Sequence, residues 1–308
     1  MKDLRKRLDD YLIMRRGLGF KLKRAGVELA QFVSFMVEKR EAFITASLAL
    51  EWAQQSLPAR HEPANRLTVV RGFAKYLSAF DPRNEVPADD LLRRRSHRAR
   101  PYLYSDKEIQ DLLDASLTRS NEEFNNRTYH CLFGLLAVSG MRVGEAIRLT
   151  VGDVHLETGL LTINKTKFGK SRVIPLHPTT RHALRDYKQR RDGCLHGRQV
   201  DPFFISKHGT ALFHTDIYRV FNMLSVRIGL RQEGASRGPR LHDFRHRFAV
   251  WTLLNWYRCG ENVERLLPVL STYLGHTRVT DTYWYLSACP ELNELAVQRL
   301  EVRWGGKL

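Results

Sequence analysis

Apolar residues recur at three- and four-residue intervals through most of this chain, and this spacing predicts helices. One segment shows the spacing clearly, at Leu67, Val70, Phe73, Leu77 and Phe80. The runs LLTIN and SRVIPL depart from it, because their β-branched residues flank KTKFGK and predict a hairpin with its turn near Gly169. We therefore expect a mainly α-helical fold with a small antiparallel β-sheet.

A basic decapeptide divides the chain. LLRRRSHRAR at 91–100 follows DPRNEVPADD and precedes Pro101, a composition typical of a linker. A run of charge is most simply a solvated loop, whereas a linker that lies along DNA would also carry it. We expect a small helical bundle over residues 1–88, a basic interdomain linker over 89–101 and a second domain over 102–308.

Composition limits the class of partner. The 50 Lys and Arg residues outnumber the 33 Asp and Glu residues, and the formal net charge of +17 favours a polyanion. DNA, RNA and membrane surfaces all meet that condition. The N-terminus lacks the apolar core of a secretory signal, and CLFGLLAVSGM is shorter than the roughly 18 residues of a membrane span. Four well-separated cysteines predict reduced thiols, so we expect a soluble protein of the cytoplasm.

Four motifs after the linker carry side chains suited to phosphate chemistry. They are SGMRVGEAIRL, TKFGKSR, HDFRHRFA and LGHTRVTDTYWYL, and they contain Arg142, Lys167, His242, Arg245, His276 and Tyr285. Each has an ordinary explanation, since surface arginines are common and TYWY could be core packing. His242 and His246 could suggest zinc, but HDFRH lacks the glutamate of HExxH and its arginine would repel a cation.

Taken together and in this order, the motifs resemble those of the tyrosine recombinase (phage integrase) family, over about residues 101–300. The family pattern is an arginine in G-[LM]-R-x-x-E, a lysine in a β-hairpin, H-x-x-R, L-G-H, and a tyrosine nine positions beyond that histidine. Counting from His276 selects Tyr285 over Tyr283. Small departures, where leucine is commoner, occur at Met141 and Phe244. The closing TYWYLSACPEL is most similar to integrases carried on transposon-like mobile elements.

The resemblance implies a site-specific recombinase that cleaves and rejoins DNA strands. The segment before the linker would be a helical core-binding (SAM-like) DNA-binding domain, and the segment after it the catalytic domain. Tyr285 would attack the phosphodiester and form a 3′-phosphotyrosyl bond. Arg142 and Arg245 would bind the non-bridging oxygens, because a guanidinium donates paired hydrogen bonds and stays charged.

The remaining roles concern protons and one further phosphate contact. His242 would accept or orient the proton of the tyrosine, and His276 would hydrogen-bond a phosphate oxygen. Lys167 would protonate the leaving 5′ oxygen, with Lys170 as the nearest rival. We expect His246 to pack or cap rather than to react.

The implied scheme also specifies partners. The sequence has neither an acidic cluster of the two-metal type nor GxxxxGK[ST], so no metal, ATP or other cofactor is expected. The partner would be double-stranded DNA, with no membrane and no small-molecule substrate. Four protomers, identical or mixed with a second recombinase, would join two DNA sites through a Holliday junction. The amphipathic tail ELNELAVQRLEVRW would dock either on a neighbour or on its own domain.

Three other classes of protein remain in view. A type IB topoisomerase uses related residues but relaxes one duplex, and the 308-residue length with a helical N-terminal domain favours a recombinase. A non-catalytic DNA-binding protein on the same fold would not need six intact catalytic positions. A metallohydrolase would be sensitive to chelators. The target sequence, the choice among integration, excision, inversion and transposition, and any accessory proteins are not encoded in a motif.

Overall fold

The structure is a computed structural model that describes residues 2–55, 63–92, 101–164, 171–235, 237–286 and 289–305. The chain forms two compact units, Met1–Arg98 and Ala99–Leu308. Most of the predicted basic linker, residues 93–100, lies outside the described residues, as does the predicted hairpin turn with Lys167. Within the described ranges, no helix combines the length and the apolar character needed to cross a membrane.

The first unit is built of helices whose apolar faces meet in one core. They are α1 (Lys2–Gly17), α2 (Lys23–Glu38), α3 (Ala46–Gln54) and α4 (Pro63–Ser78). Phe32, Trp52 and Phe73 are at most 2% exposed, and the rings of Phe32 and Trp52 meet edge to face at 5.2 Å. The side chain of Thr45 caps α3 by accepting from the backbone amide of Leu48 at 3.2 Å. The predicted helical segments before the linker are therefore confirmed.

The second unit contains the remaining elements. Its helices are α5 (Asp106–Leu117), α6 (Glu123–Ser139), α7 (Val143–Ile147), α8 (Pro178–Leu195), α9 (His214–Arg227), α10 (Leu241–Arg258), α11 (Val263–Leu274), α12 (Thr280–Leu286) and α13 (Pro290–Trp304). Its strands are β1 (Val154–His155), β2 (Leu160–Ile163) and β3 (Arg172–Pro175). The strands pair antiparallel in the order β1-β2-β3, with Ile163 opposite Arg172. A mainly helical fold with a small antiparallel sheet is thus confirmed.

Local signals place the first helices of this unit. Ser105 and Glu108 form the capping box that the sequence predicts at the start of α5. Helix α6 is largely buried and packs against α5, α8 and α10. It ends at Gly140, whose φ of +58° suits glycine and supports the predicted C-terminal cap.

Helix α10 connects two parts of the core. It packs on α6, α11, α12 and α13. Leu241 and Phe244, near its start, belong to the main core cluster of this unit, whereas Leu253 lies in a second cluster with Leu274 and Tyr285. Because the HDFRH motif begins α10, its side chains lie where α6, α11 and α12 come together.

The C-terminal tail forms α13 and packs on its own domain. Leu292 is 1% exposed, and the Arg299 guanidinium donates to the carbonyl of Glu261 at 2.6 Å. Val297 and Leu300 on the same helix are 51% and 45% exposed. The free chain therefore buries one side of the amphipathic tail against itself and leaves part of its apolar surface in solvent.

Candidate active site

Arg142 stands where α6 gives way to α7. Gly140 ends α6 in the left-handed conformation, and Arg142 is extended at φ −75° and ψ 144° as the N-cap of α7. The Glu145 carboxylate accepts from the Arg142 amide at 2.9 Å and from its Nη1 at 2.9 Å. The glutamate three residues after the arginine thus fixes both the backbone and the side chain of Arg142.

Glu145 also binds Arg172, the first residue of β3. Nη1 and Nη2 of Arg172 donate to the two carboxylate oxygens at 3.1 and 2.7 Å. Burial alone would raise the pKa of Glu145, but hydrogen bonds from Arg172 and Arg142 outweigh that effect and hold it at about 2. Glu145 is therefore an anion at neutral pH although it is only 4% exposed.

Helix ends hold the second arginine. Arg245 is 2% exposed, and its Nη1 and Nη2 donate to the carbonyls of Gly140, at 3.0 Å, and Leu274. These carbonyls lie at the C-termini of α6 and α11, which carry partial negative charge. Nη2 of Arg142 likewise donates to the carbonyl of Gly275 at 3.2 Å. Burial and then the nearby Arg142 charge lower the pKa of Arg245 to about 10, so it remains a cation at neutral pH.

Two histidines lie beside these cations. His242 is one helical turn before Arg245 and lies at the solvent-facing edge of the site. His276 follows the glycine cap of α11, is half-buried, and its Nδ1 lies 2.8 Å from Oγ1 of Thr282. The pKa of each histidine is lowered to about 4, first by desolvation of the ring and then by Arg245. Both rings are therefore neutral at pH 7.

Tyr285 on α12 faces the same place. It is 3% exposed, and its ring lies near-parallel to that of His276, at 18° with centroids 6.0 Å apart. Its ring centroid is 5.4 Å from that of His246. Tyr283 is 53% exposed. The structure therefore packs Tyr285 against His276 and His246 and presents Tyr283 to solvent.

Of the six residues predicted from the motifs, the structure gathers Arg142, His242, Arg245, His276 and Tyr285 in one site. Lys167 lies outside the described residues. His246 is 6% exposed and packs between His242 and Trp284, with ring centroids at 4.7 and 5.0 Å. The arrangement combines charged donors, neutral imidazoles and a phenol, and this set is suited to nucleophilic attack on a phosphodiester.

Arg172 is a part of this site that the motifs did not predict. The residue binds Glu145 and also donates from Nε to the Tyr273 carbonyl at 2.7 Å. One signal was available. A glutamate within the apolar GMRVGEAI requires a cation as its partner when it is buried. If Arg142 binds a phosphate, a second cation is needed to neutralise that glutamate.

Comparison with known proteins agrees with the fold. The phage integrase family model matches residues 103–291. The putative integrase/recombinase y4rB of Sinorhizobium fredii is 48% identical, with 99% of this chain and 99% of y4rB covered. The putative integrase/recombinase y4rE of the same organism is 35% identical, with 96% and 95% covered.

Solved structures share the architecture. The Tn1549 transposon integrase in complex with transposon right end DNA has a TM-score of 0.66 at 14% identity, covering 96% of this chain and 98% of that one. The XerH site-specific recombinase bound to palindromic difH substrate has a TM-score of 0.64 at 19% identity, covering 92% and 77%. At such identities these two structures establish the fold alone.

The fold and the relatives define the class, a tyrosine-type site-specific DNA recombinase that breaks and rejoins DNA strands. The chain belongs to the phage integrase family.

Proposed function

We propose that this protein cleaves DNA through a covalent 3′-phosphotyrosyl bond at Tyr285 and exchanges strands through a Holliday junction. The observation that carries the proposal is the placement of Tyr285, which packs against His276 and His246 beside the buried Arg245. A phenol has an ordinary pKa near 10, so its attack needs a proton acceptor and a cationic phosphate site. Both lie within this cluster.

Arg142 and Arg245 bind the non-bridging oxygens of the scissile phosphate in this scheme. A guanidinium has five N–H donors. The bonds of Arg245 to Gly140 and Leu274, and those of Arg142 to Glu145 and Gly275, leave further donors on each fork. Backbone carbonyls thus orient both cations before DNA arrives, which lowers the reorganisation needed in the transition state.

The histidines act in their neutral forms. His242, with its pKa lowered to about 4, accepts or orients the proton of the Tyr285 hydroxyl. In this scheme Nδ1 of His276 accepts a hydrogen bond from the Thr282 hydroxyl, so the single ring proton of the neutral imidazole is on Nε2, which donates to a phosphate oxygen. Lys167, which lies outside the described residues, is the proposed general acid for the leaving 5′ oxygen.

Reaching DNA requires a change at α12, because Tyr285 is 3% exposed in the free chain. We expect DNA to draw the tyrosine from its packed position toward the arginines. The energy of the broken phosphodiester is then kept in the tyrosyl ester, so a 5′ hydroxyl from another strand reseals it without metal, ATP or another cofactor.

The assembly follows from the same chemistry. Residues 1–88 are proposed as the core-binding domain on double-stranded DNA, 89–101 as the basic linker and 102–308 as the catalytic domain. Four protomers, identical or mixed with a second recombinase, would hold two DNA sites, with the tail helix α13 either kept on its own domain or docked on a neighbour. The protein would act on DNA in the cytoplasm. We propose integration or transposition of a mobile element as the outcome, and the names of the putative integrase/recombinase relatives y4rB and y4rE support integration.

The test uses labelled DNA from the flanks of the gene, nicked near the cleavage site so that the covalent adduct is trapped. Purified protein is incubated with it in EDTA, and denaturing gel electrophoresis separates the adduct. We expect an adduct in the wild type and in Tyr283→Phe, and none in Tyr285→Phe. An adduct that survives in Tyr285→Phe refutes the assignment of the nucleophile. No adduct in the wild type, on DNA that the protein binds, refutes the proposed cleavage.

A further inference from the structure

We infer that Arg172 is a positioning residue for strand transfer. It neutralises Glu145, so that the charge of Arg142 remains available to the scissile phosphate. This inference rests on the proposed role of Arg142. Arg172 is not one of the six reactive residues that the motifs predict.

The contacts of Arg172 join three segments. Its side chain is 9% exposed, and its fork meets both Glu145 oxygens, at 3.1 and 2.7 Å. Its Nε donates to the Tyr273 carbonyl, in the last turn of α11, at 2.7 Å. A planar guanidinium makes three such bonds at once, whereas a lysine ammonium lacks the fork. Arg172 therefore fixes the start of β3 to the elements that carry Arg142 and His276.

Both Glu145 oxygens are shared between the two arginines. Oε1 accepts from Nη1 of Arg142 at 2.9 Å and from Nη1 of Arg172 at 3.1 Å. Oε2 accepts from the Arg142 amide at 2.9 Å and from Nη2 of Arg172 at 2.7 Å. Two guanidinium groups and one carboxylate leave one positive charge over. Without Arg172, the carboxylate would be paired with Arg142 alone, and Arg142 would meet the phosphate with its charge cancelled.

The end of α11 is shaped around this arginine. A Cβ on Gly275 would lie 2.7 Å from Nη1 of Arg172, closer than atoms can pack. The Gly275 carbonyl also accepts from Nη2 of Arg142 at 3.2 Å. Gly275 thus allows Arg142 and Arg172 to reach the same turn, directly before His276.

The experiment compares two substrates for cleavage. One carries the normal scissile phosphate, and the other carries a methylphosphonate there, which lacks the negative charge that the arginines neutralise. We expect Arg172→Ala to cleave the phosphate on the order of 10²-fold more slowly than the wild type, the usual cost of a lost charge-stabilising donor. We expect most of that defect to disappear on the methylphosphonate, as it should for Arg142→Ala.

Further variants distinguish the loss of the positive charge from damage to the structure. Arg172→Lys restores the charge without the fork, and we expect it to cleave the phosphate at least about tenfold faster than Arg172→Ala. Adding Glu145→Gln to Arg172→Ala removes the charge that needs neutralising, so the double variant should exceed Arg172→Ala on the phosphate. The matched control is Arg191→Ala, since Arg191 is 3% exposed and is bound by the carbonyls of Val200 and Pro202. Any defect of that variant should be equal on both substrates.

The outcomes distinguish the inference from the function beneath it. If Arg142→Ala is rescued by the methylphosphonate and Arg172→Ala is equally slow on both substrates, Arg172 is structural and the inference is wrong. If Arg172→Lys is as slow as Arg172→Ala on the phosphate, charge is not what Arg172 supplies and the inference again fails. If neither the wild type nor any variant forms an adduct on the phosphate, the proposed function itself is wrong.

Discussion

Gly140 permits the sharpest test of how the site is built. A Cβ there would lie 2.5 Å from Cδ1 and 3.0 Å from Cβ of Phe248, so the ring would have to shift as a whole. Phe248 stacks on Tyr273, at 15° and 5.3 Å between centroids, and this contact resists the shift. An L-residue in the left-handed region costs about 1–2 kcal/mol, and overpacking costs about 1–3 kcal/mol more. We therefore expect Gly140→Ala to lower the free energy of unfolding by about 2–5 kcal/mol.

A second glycine separates the two contributions. Gly229 has a φ of +76°, and a Cβ added there would meet no atom within 4 Å, so Gly229→Ala carries the backbone strain alone. In urea unfolding, we expect Gly229→Ala to lose about 1–2 kcal/mol and Gly140→Ala to lose more. The cleavage rate should also fall more in Gly140→Ala than in Gly229→Ala, because the Gly140 carbonyl accepts from Arg245 at 3.0 Å. Equal destabilisation by the two substitutions would refute the steric reasoning.

Three further outcomes are expected. Arg142→Lys and Arg245→Lys should each form the covalent adduct on the order of 10²-fold more slowly, because the charge stays and the fork is lost; wild-type rates on the nicked DNA would contradict this. His242 and His276 have pKa values near 4 in the fold and near 6.5 when unfolded, so the unfolded chain binds more protons between those values. The free energy of unfolding in urea should therefore fall as pH drops from 6.5 to 4, and His276→Gln should reduce the size of that fall. An equal fall in wild type and His276→Gln would refute the contribution of His276. Truncation before Pro290 should lower the midpoint of urea unfolding, because Leu292 is buried. If the truncated protein forms tetramers on DNA that sediment like those of the full chain, the tail does not dock on a neighbour.

Local sequence patterns predicted most of the fold. The β-branched runs around KTKFGK become β2 and β3, and the capping box at Ser105 starts α5, because strand pairing and helix caps depend on neighbouring residues. The nine-residue interval from His276 selected Tyr285, which the structure buries beside His276. Its assignment as the nucleophile remains a prediction.

Contacts between segments far apart in the sequence could not be predicted from local patterns. Arg172 meets Glu145 across 27 positions and the Tyr273 carbonyl across 101, and no periodicity encodes either distance. The side on which the amphipathic tail packs was also open, since apolar spacing identifies a face without naming its partner. Contacts between residues far apart in the sequence therefore supply what the motifs alone leave open.

The way in which Arg245 is held has a consequence for inherited variation. It is 2% exposed, and its partners at Gly140 and Leu274 are carbonyls that carry no formal charge. Arg245→Met would remove this cation and leave both buried carbonyls without their donor, so the variant would lose stability together with cleavage. Inherited variants at this position would then yield less folded protein as well as an inert site, and cells would clear them rather than accumulate inert copies.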